Sequence, residues 1–177
     1  DLGQDWSDTN NPNGLWSYND GDGPITSHVS SWIPPEVGQN PQPAWAQTAD
    51  QVPGHIVSWF KSTNDVFDWA VGDVITHTWD SSNGARTPPS NVIFTSPVTG
   101  TLGITGSVWL ARNIGRAVNW SISANSVVLT GGSLFDGDPF DRANPFNLAA
   151  GSGGVGVLSQ IPVSIGDKIM LSFDTAS

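Results

Sequence analysis

Alternation of apolar and polar side chains at a period of two dominates the second half of the chain. Residues 101–110 set Leu102, Ile104, Val108 and Leu110 on one face of an extended segment, with Thr101, Thr105, Ser107 and Trp109 on the other. In residues 116–123 the same period gathers Val118, Trp120 and Ile122 against Asn119, Ser121 and Ser123. The link Arg112-Asn113-Ile114-Gly115 predicts a hairpin between the two. Further strands are predicted over 55–60, 74–79, 91–95, 126–130, 155–163 and 168–173. Turn chemistry at Asn83-Gly84, Pro88-Pro89, Pro97 to Gly100 and Gly131-Gly132 divides them. No window of a dozen residues keeps an apolar stripe at helical spacing without interruption by Gly, Pro or β-branched residues. The pattern therefore predicts an all-β fold: an antiparallel β-sandwich, jelly-roll-like in its preferred version.

Two stretches depart from the alternation. Residues 1–50 are dense in Asn, Asp, Gly, Pro and Trp, and are expected as an irregular aromatic segment packed on the sandwich. Residues 133–154 form a long polar and aromatic excursion between strands. An internal echo, Val71-Gly72-Asp73-Val74-Ile75 and Ile165-Gly166-Asp167-Lys168-Ile169, reads as the same turn entering two strands, with Gly supplying a positive φ and Asp bonding nearby amides.

Composition narrows the class. At 177 residues the chain is one domain long, and nine Trp with seven Phe give it a core that a disordered chain lacks. Sixteen acidic against six basic residues leave a net charge of −10, with the basic residues scattered, which disfavours nucleic acid and anionic membranes as partners. No stretch approaches the length of a membrane span and no leader precedes Asp1, so a processed or trimmed product is expected. Cysteine is absent, which excludes disulfides and thiolate metal sites. Scarcity of Lys and Glu beside abundant Ser, Thr, Asn, Gly and Trp points to a secreted, cell-surface protein.

Candidate chemistry follows from the same residues. His28, His55 and His77 fall in no zinc-type spacing, and no nucleophile elbow occurs. A glycoside hydrolase using an Asp pair remains an alternative, although no particular pair stands out and Glu36 is the single Glu. Two acidic loops, Asp20-Gly21-Asp22-Gly23 and Asp136-Gly137-Asp138-Pro139-Phe140-Asp141, space carboxylates around glycine turns. They read either as Asx turns or as a structural Ca²⁺ site built from Asp20, Asp22, Asp136, Asp138 and Asp141. Tryptophan is the strongest signal, because a sugar ring stacks its C–H face on an exposed aromatic plate and bonds its hydroxyls to amides or carboxylates. Trp109, on the polar side of its segment, is one candidate plate. Trp16 and Tyr18, two residues apart with Asn13 and Asn19 beside them, form the other.

The stretch Asn11-Pro12-Asn13-Gly14-Leu15-Trp16-Ser17-Tyr18 resembles the opening motif of an uncharacterised bacterial extracellular β-sandwich family often carried by PEP-CTERM sorted proteins. Residues 91–102 resemble its strand, Pro-x-x-Gly turn and next strand, and residues 163–169 its Gly-Asp turn. The resemblance implies a jelly-roll-like, exported, non-enzymatic domain associated with carbohydrate or matrix, and transfers no ligand residues. The sorting signal itself is missing. The expected function is a secreted module binding polysaccharide. The alternative is a structural subunit that self-associates into filaments by strand exchange through its N-terminal arm.

Overall fold

The computed structural model describes residues 1–21, 23–32, 40–47, 57–78 and 89–176. Within them the chain is nearly all β, as its alternation predicts. Six strands form one antiparallel sheet: β1 (Trp16–Asp20), β2 (Gly23–Pro24), β7 (Ser90–Thr95), β10 (Ala117–Ala124), β11 (Val127–Phe135) and β14 (Lys168–Thr175), in the order β11-β10-β14-β7-β1-β2. A second sheet runs in sequence order through β3 (His28–Trp32), β4 (Gln42–Ala46), β5 (Ser58–Lys61) and β6 (Val74–His77). Two ribbons complete the fold, β8 (Gly100–Leu102) with β13 (Ile161–Val163), and β9 (Ser107–Val108) with β12 (Phe146–Asn147). One 3-10 turn, Leu148–Ala150, follows β12.

Register explains how the large sheet acquires two different faces. Tyr18, Val92, Leu171, Ile122 and Thr130 are successive cross-strand partners and point inward, with Tyr18, Val92, Ile122 and Thr130 buried. The neighbouring row, Asn19, Asn91, Ser172, Ser121 and Gly131, points outward and is polar or small throughout. The inner face is covered in two parts. Trp45, Val57 and Trp59 of the four-stranded sheet and its approach pack against Tyr18, Ile25 and Val92. Leu148, Leu158, Ile161 and Val163 pack against Trp120, Ile122 and Leu134. Leu171 and Phe173 of β14 contact both groups.

Residues 1–50 are not uniformly irregular, since they carry β1 to β4. Alternation failed there because the four-stranded sheet is apolar on both faces: Trp45 and Trp59 face the large sheet, while Ala44, Ala46 and Phe60 cluster with Trp32 on the other side. Residues 1–15 do form an irregular arm. It is held by Lys61 Nζ donating to the Gly3 carbonyl at 2.8 Å, by the Trp45 indole donating to the Ser7 carbonyl at 2.8 Å, and by Asn11. The Asn11 side chain accepts from the Tyr18 amide and donates to the Tyr18 and Ile25 carbonyls, at 2.7–2.9 Å.

Three further expectations are corrected. Residues 101–110 are not one strand: β8 ends at Leu102 and β9 starts at Ser107, with Gly106 at φ 152° between them. The predicted hairpin is also absent, because β9 pairs with β12, whereas β10 turns back into β11 through Asn125 and Ser126 at positive φ. Gly131-Gly132 is not a turn but lies inside β11, where Gly132 faces the Trp120 indole. The echo, by contrast, is one turn used twice. Gly72 and Gly166 both have positive φ, and Asp73 and Asp167 each accept from the amide three residues back, Ala70 and Ser164, before β6 and β14 begin.

Candidate functional site

Two cavities lie among the described residues. The first is a hollow of about 180 Å³ on the outer face of the large sheet, where β1 meets β7. Its wall includes Pro12, Leu15, Trp16, Ser17, Asn19, Ile93, Thr95 and Lys168. The opening motif builds it. Asn13 and Trp16 exchange backbone hydrogen bonds around Gly14, at φ 58°, so the chain reverses tightly and enters β1 at Trp16. Alternation then sends Ser17 and Asn19 outward.

Asn19 is the unusual member. Its side chain is 1% exposed. The amide nitrogen donates to Asn91 Oδ1 at 2.9 Å, and Asn91 in turn donates to the Gly21 carbonyl at 2.6 Å, so the orientation of Asn19 is set. Its carbonyl oxygen is buried with no hydrogen-bond partner. An unpaired buried acceptor costs about 1–3 kcal/mol of stability.

The second cavity, about 280 Å³, is a slot between the two sheets. β6, the edge strand of the four-stranded sheet, forms one side from Val74 to Thr78, and residues 107–116 form the other. Val118, Leu134, Leu171 and Phe173 of the large sheet floor it, and Trp32, Trp59, Trp69 and Trp109 contribute aromatic wall. Neither cavity is lined by a carboxylate among the described residues. Among the described lining, neither shows an acid pair of the kind glycoside hydrolysis uses.

The candidate residues distribute unevenly over these sites. Trp109 is not an exposed plate on a strand. It follows β9, is half-buried, walls the slot and donates its indole N–H to the Asp68 carbonyl at 2.8 Å. Trp16 borders the hollow, half-buried, with its ring 5.1 Å from that of Phe94 and its N–H on Asp5 Oδ2 at 3.0 Å. Tyr18 shares the face of Trp16, as expected for alternate strand positions, but that face is the interior. It is 0% exposed and stacks on Trp6 and Trp59, so it cannot serve as a sugar plate. Burial pushes its hydroxyl pKa up to about 12, against the Ser7 backbone, which lies near without a well-formed hydrogen bond. Asn13 stays in the turn, donating to the Asp5 carbonyl at 2.8 Å.

The acidic loops form turns rather than converging on one point. Asp136 accepts from the Gly115 amide, Asp138 from Phe135 and Phe140 with one oxygen each, and Asp141 from Asn144, at 2.7–2.8 Å. Both Asp138 oxygens are thus committed to backbone, and among the described residues no group of three or more potential metal ligands gathers. Asp20 lies away from this loop. Burial raises the Asp20 pKa while the Gln47 amide, hydrogen-bonded to one oxygen, lowers it, and the other oxygen is buried without a partner. Asp22 lies outside the described residues.

Sequence reasoning missed Asn91, Asn11 and the slot residues Trp32 and Trp69. The pairing of Asn19 with Asn91 carries no local signal, because 72 residues separate them. No protein-family model matches the chain, and no curated protein or solved structure matches it. Function has to be inferred from the geometry of these cavities.

Proposed function

We propose that the protein is a secreted, non-catalytic binding module for polysaccharide, and that the outer hollow takes one sugar ring. The observation that carries this reading is the mixed lining of the hollow, apolar side chains facing polar ones across a recess of about 180 Å³. Leu15, Pro12 and Ile93 supply apolar surface for the C–H face of the ring, and Ser17, Thr95 and Lys168 supply polar partners at the rim.

Strand exchange into filaments is the weaker reading at the two edges of the large sheet. β2 is two residues long and ends in Pro24. The outward edge of β11 is occupied: Gly131 O accepts from Ser152 N at 2.9 Å, and Phe135 exchanges hydrogen bonds with Asp138 through both backbone groups.

Affinity electrophoresis through a panel of soluble polysaccharides tests the proposal. Wild-type protein should be retarded by at least one of them. Ile93→Trp, which fills the hollow, should run freely while keeping the native far-ultraviolet spectrum and a cooperative unfolding transition. Equal retardation of wild type and Ile93→Trp would reject the hollow as the site, and no retardation by any polysaccharide would reject the function.

A further inference from the structure

The end of the sandwich at which β14 begins is crowned by three turns that bond to one another. Residues 96–99 and 164–167 are joined by the Ser96 amide donating to the Asp167 carbonyl and the Gly166 amide to the Ser96 carbonyl, both at 2.8 Å. The Ile165 amide donates to Thr99 Oγ1 at 3.3 Å. The β10–β11 turn joins them through Asn125, whose amide donates to the Lys168 carbonyl at 2.9 Å and whose Oδ1 accepts from the Lys168 amide at 3.0 Å. Within the turns, the Ser164 amide donates to Asp167 Oδ2 at 2.7 Å and the Ser96 hydroxyl to the Val98 carbonyl at 2.8 Å. Much of the polar backbone of the crown is thus satisfied within the crown.

The side chains point the other way. Val98, Ile165, Val127 and Val128 are 58–72% exposed, and Leu15, whose carbonyl accepts from the Thr95 amide beside the crown, is exposed as well. Aliphatic residues stand here at turns or next to one, where polar residues are the rule. Asp167 and Lys168, adjacent and of opposite sign, are the charged residues of segments 95–99, 124–128 and 163–168, in a chain of net charge −10. A stable protein partner engages about 20–30 residues a side and exchanges hydrogen bonds with them. The crown offers a few aliphatic tips on backbone that already has its partners. Hydrocarbon suits that combination, since it supplies no hydrogen bonds and admits only backbone whose polar groups are paired.

We propose that this end of the sandwich docks on the surface of a lipid bilayer, with Val98, Ile165, Val127 and Val128 entering between the headgroups and Asp167 and Lys168 at headgroup level. The lipid is zwitterionic. The crown brings no excess of positive charge to hold an anionic surface, and such a surface repels a chain of net negative charge. The docking surface adjoins the hollow at Leu15 and Lys168 but does not depend on the polysaccharide reading.

Flotation of the purified protein with phosphatidylcholine vesicles tests the proposal. Wild type should float. Val98→Asp with Ile165→Asp should float at least about tenfold less while keeping a cooperative unfolding transition, because both side chains are exposed. Phe135→Ser, which alters an exposed apolar residue at the opposite end of β11 from Val127, should float as wild type does. Phosphatidylserine added to the vesicles should not strengthen binding. Insertion is read separately: the chain has no Cys, so Ile165→Cys accepts a single nitrobenzoxadiazole label. Its emission should rise on vesicles and be quenched by spin labels in the acyl chains, whereas the same label on Phe135→Cys should not respond. A wild type that stays at the bottom of the gradient would overturn the proposal, as would undiminished flotation of the double aspartate variant, a silent label at position 165, or flotation only with phosphatidylserine. A dimer in sedimentation velocity that the double aspartate variant loses, with no flotation of the wild type, would give the surface to a second copy of the chain and refute docking on lipid.

Discussion

Gly132→Ala offers a sharp test of the packing around β11, because the same substitution elsewhere should have the opposite sign. Gly132 lies mid-strand opposite Trp120, and a methyl group there would stand 2.9 Å from Trp120 Nε1 and 3.0 Å from Cε2 and Cζ2. The indole cannot retreat. It is 2% exposed, with Gly151 against its far end and the Phe146 ring 5.4 Å away. Overpacking of this kind costs about 1–3 kcal/mol, while replacing glycine by alanine at an ordinary φ returns roughly 0.4–1 kcal/mol through the unfolded chain. The expected net loss is about 0.5–2.5 kcal/mol, a fall in Tm of several degrees for a domain of this size. Gly100→Ala, in β8 with nothing within 4 Å of the added carbon, should be neutral or stabilising. Urea unfolding followed by tryptophan emission measures both. In a Trp120→Leu background the atoms in the way are gone, and the penalty of Gly132→Ala should shrink, giving a coupling of about 0.5–3 kcal/mol. Equal effects of the two glycine substitutions, or no coupling to position 120, would refute the close approach of Gly132 and Trp120.

Three other outcomes are expected. Tyr18 is the single tyrosine, so the tyrosinate absorbance of the folded protein should titrate near pH 12, where burial places it, or only on unfolding; a transition near pH 10 would mean an exposed ring. Asn11→Ala strips hydrogen bonds from the Tyr18 amide and from the Tyr18 and Ile25 carbonyls, and should cost about 2–3 kcal/mol in chemical denaturation; a cost below about 0.5 kcal/mol would show that water replaces the side chain freely. Burial works to raise the Asp73 pKa, but Arg142, at 2.7 Å, and the Ala70 amide outweigh it and hold the carboxyl below its ordinary value. A depressed carboxyl stabilises the fold above its unfolded pKa of about 3.9 and loses that contribution as pH falls through the folded value. Arg142→Gln should therefore destabilise at neutral pH, with the gap to wild type closing below about pH 4; a constant gap across pH would rule out the charge as its origin.

The legible parts of the sequence were those where a single face is buried. Trp120 and Ile122 could be placed inward, and Asn119 and Ser121 outward, because β10 has solvent on one side and core on the other. The Gly-Asp turns were equally plain, since their function is local. Where both faces are covered the period vanishes, so Trp45, Ala46, Trp59 and Phe60 gave no alternation to read. Trp109 was misplaced for a different reason: its apparent alternation runs through Gly103 and Gly106, and the second of these adopts a φ that no strand continues through. Gly131-Gly132 resembled a turn because composition cannot distinguish a glycine needed for its dihedral angles from one needed for the indole opposite. The hollow was half legible. Trp16 and Asn19 were both singled out, but the sequence could not show that the face Trp16 shares with Tyr18 is the interior or that Asn91 fixes the Asn19 amide.

The two cavities follow from how the large sheet is covered. Its inner face is wider than the four-stranded sheet, so the β10 and β11 half is roofed instead by Leu148, Leu158, Ile161 and Val163. A seam must then run between the two covers, along β14, and Leu171 and Phe173 contact both. The slot lies on that seam, bordered by β6, which is an edge strand of its sheet among the described residues. On the outer face the constraint is reversed. The small side chain of Ser17 lies between Leu15, Ile93 and Lys168, and a recess opens where the irregular arm enters the sheet. One cavity is therefore mainly apolar and the other mixed, and ligands suited to one are poorly suited to the other. Binding at each should be separable by substitution, because the residues that line them stand on opposite faces of one sheet.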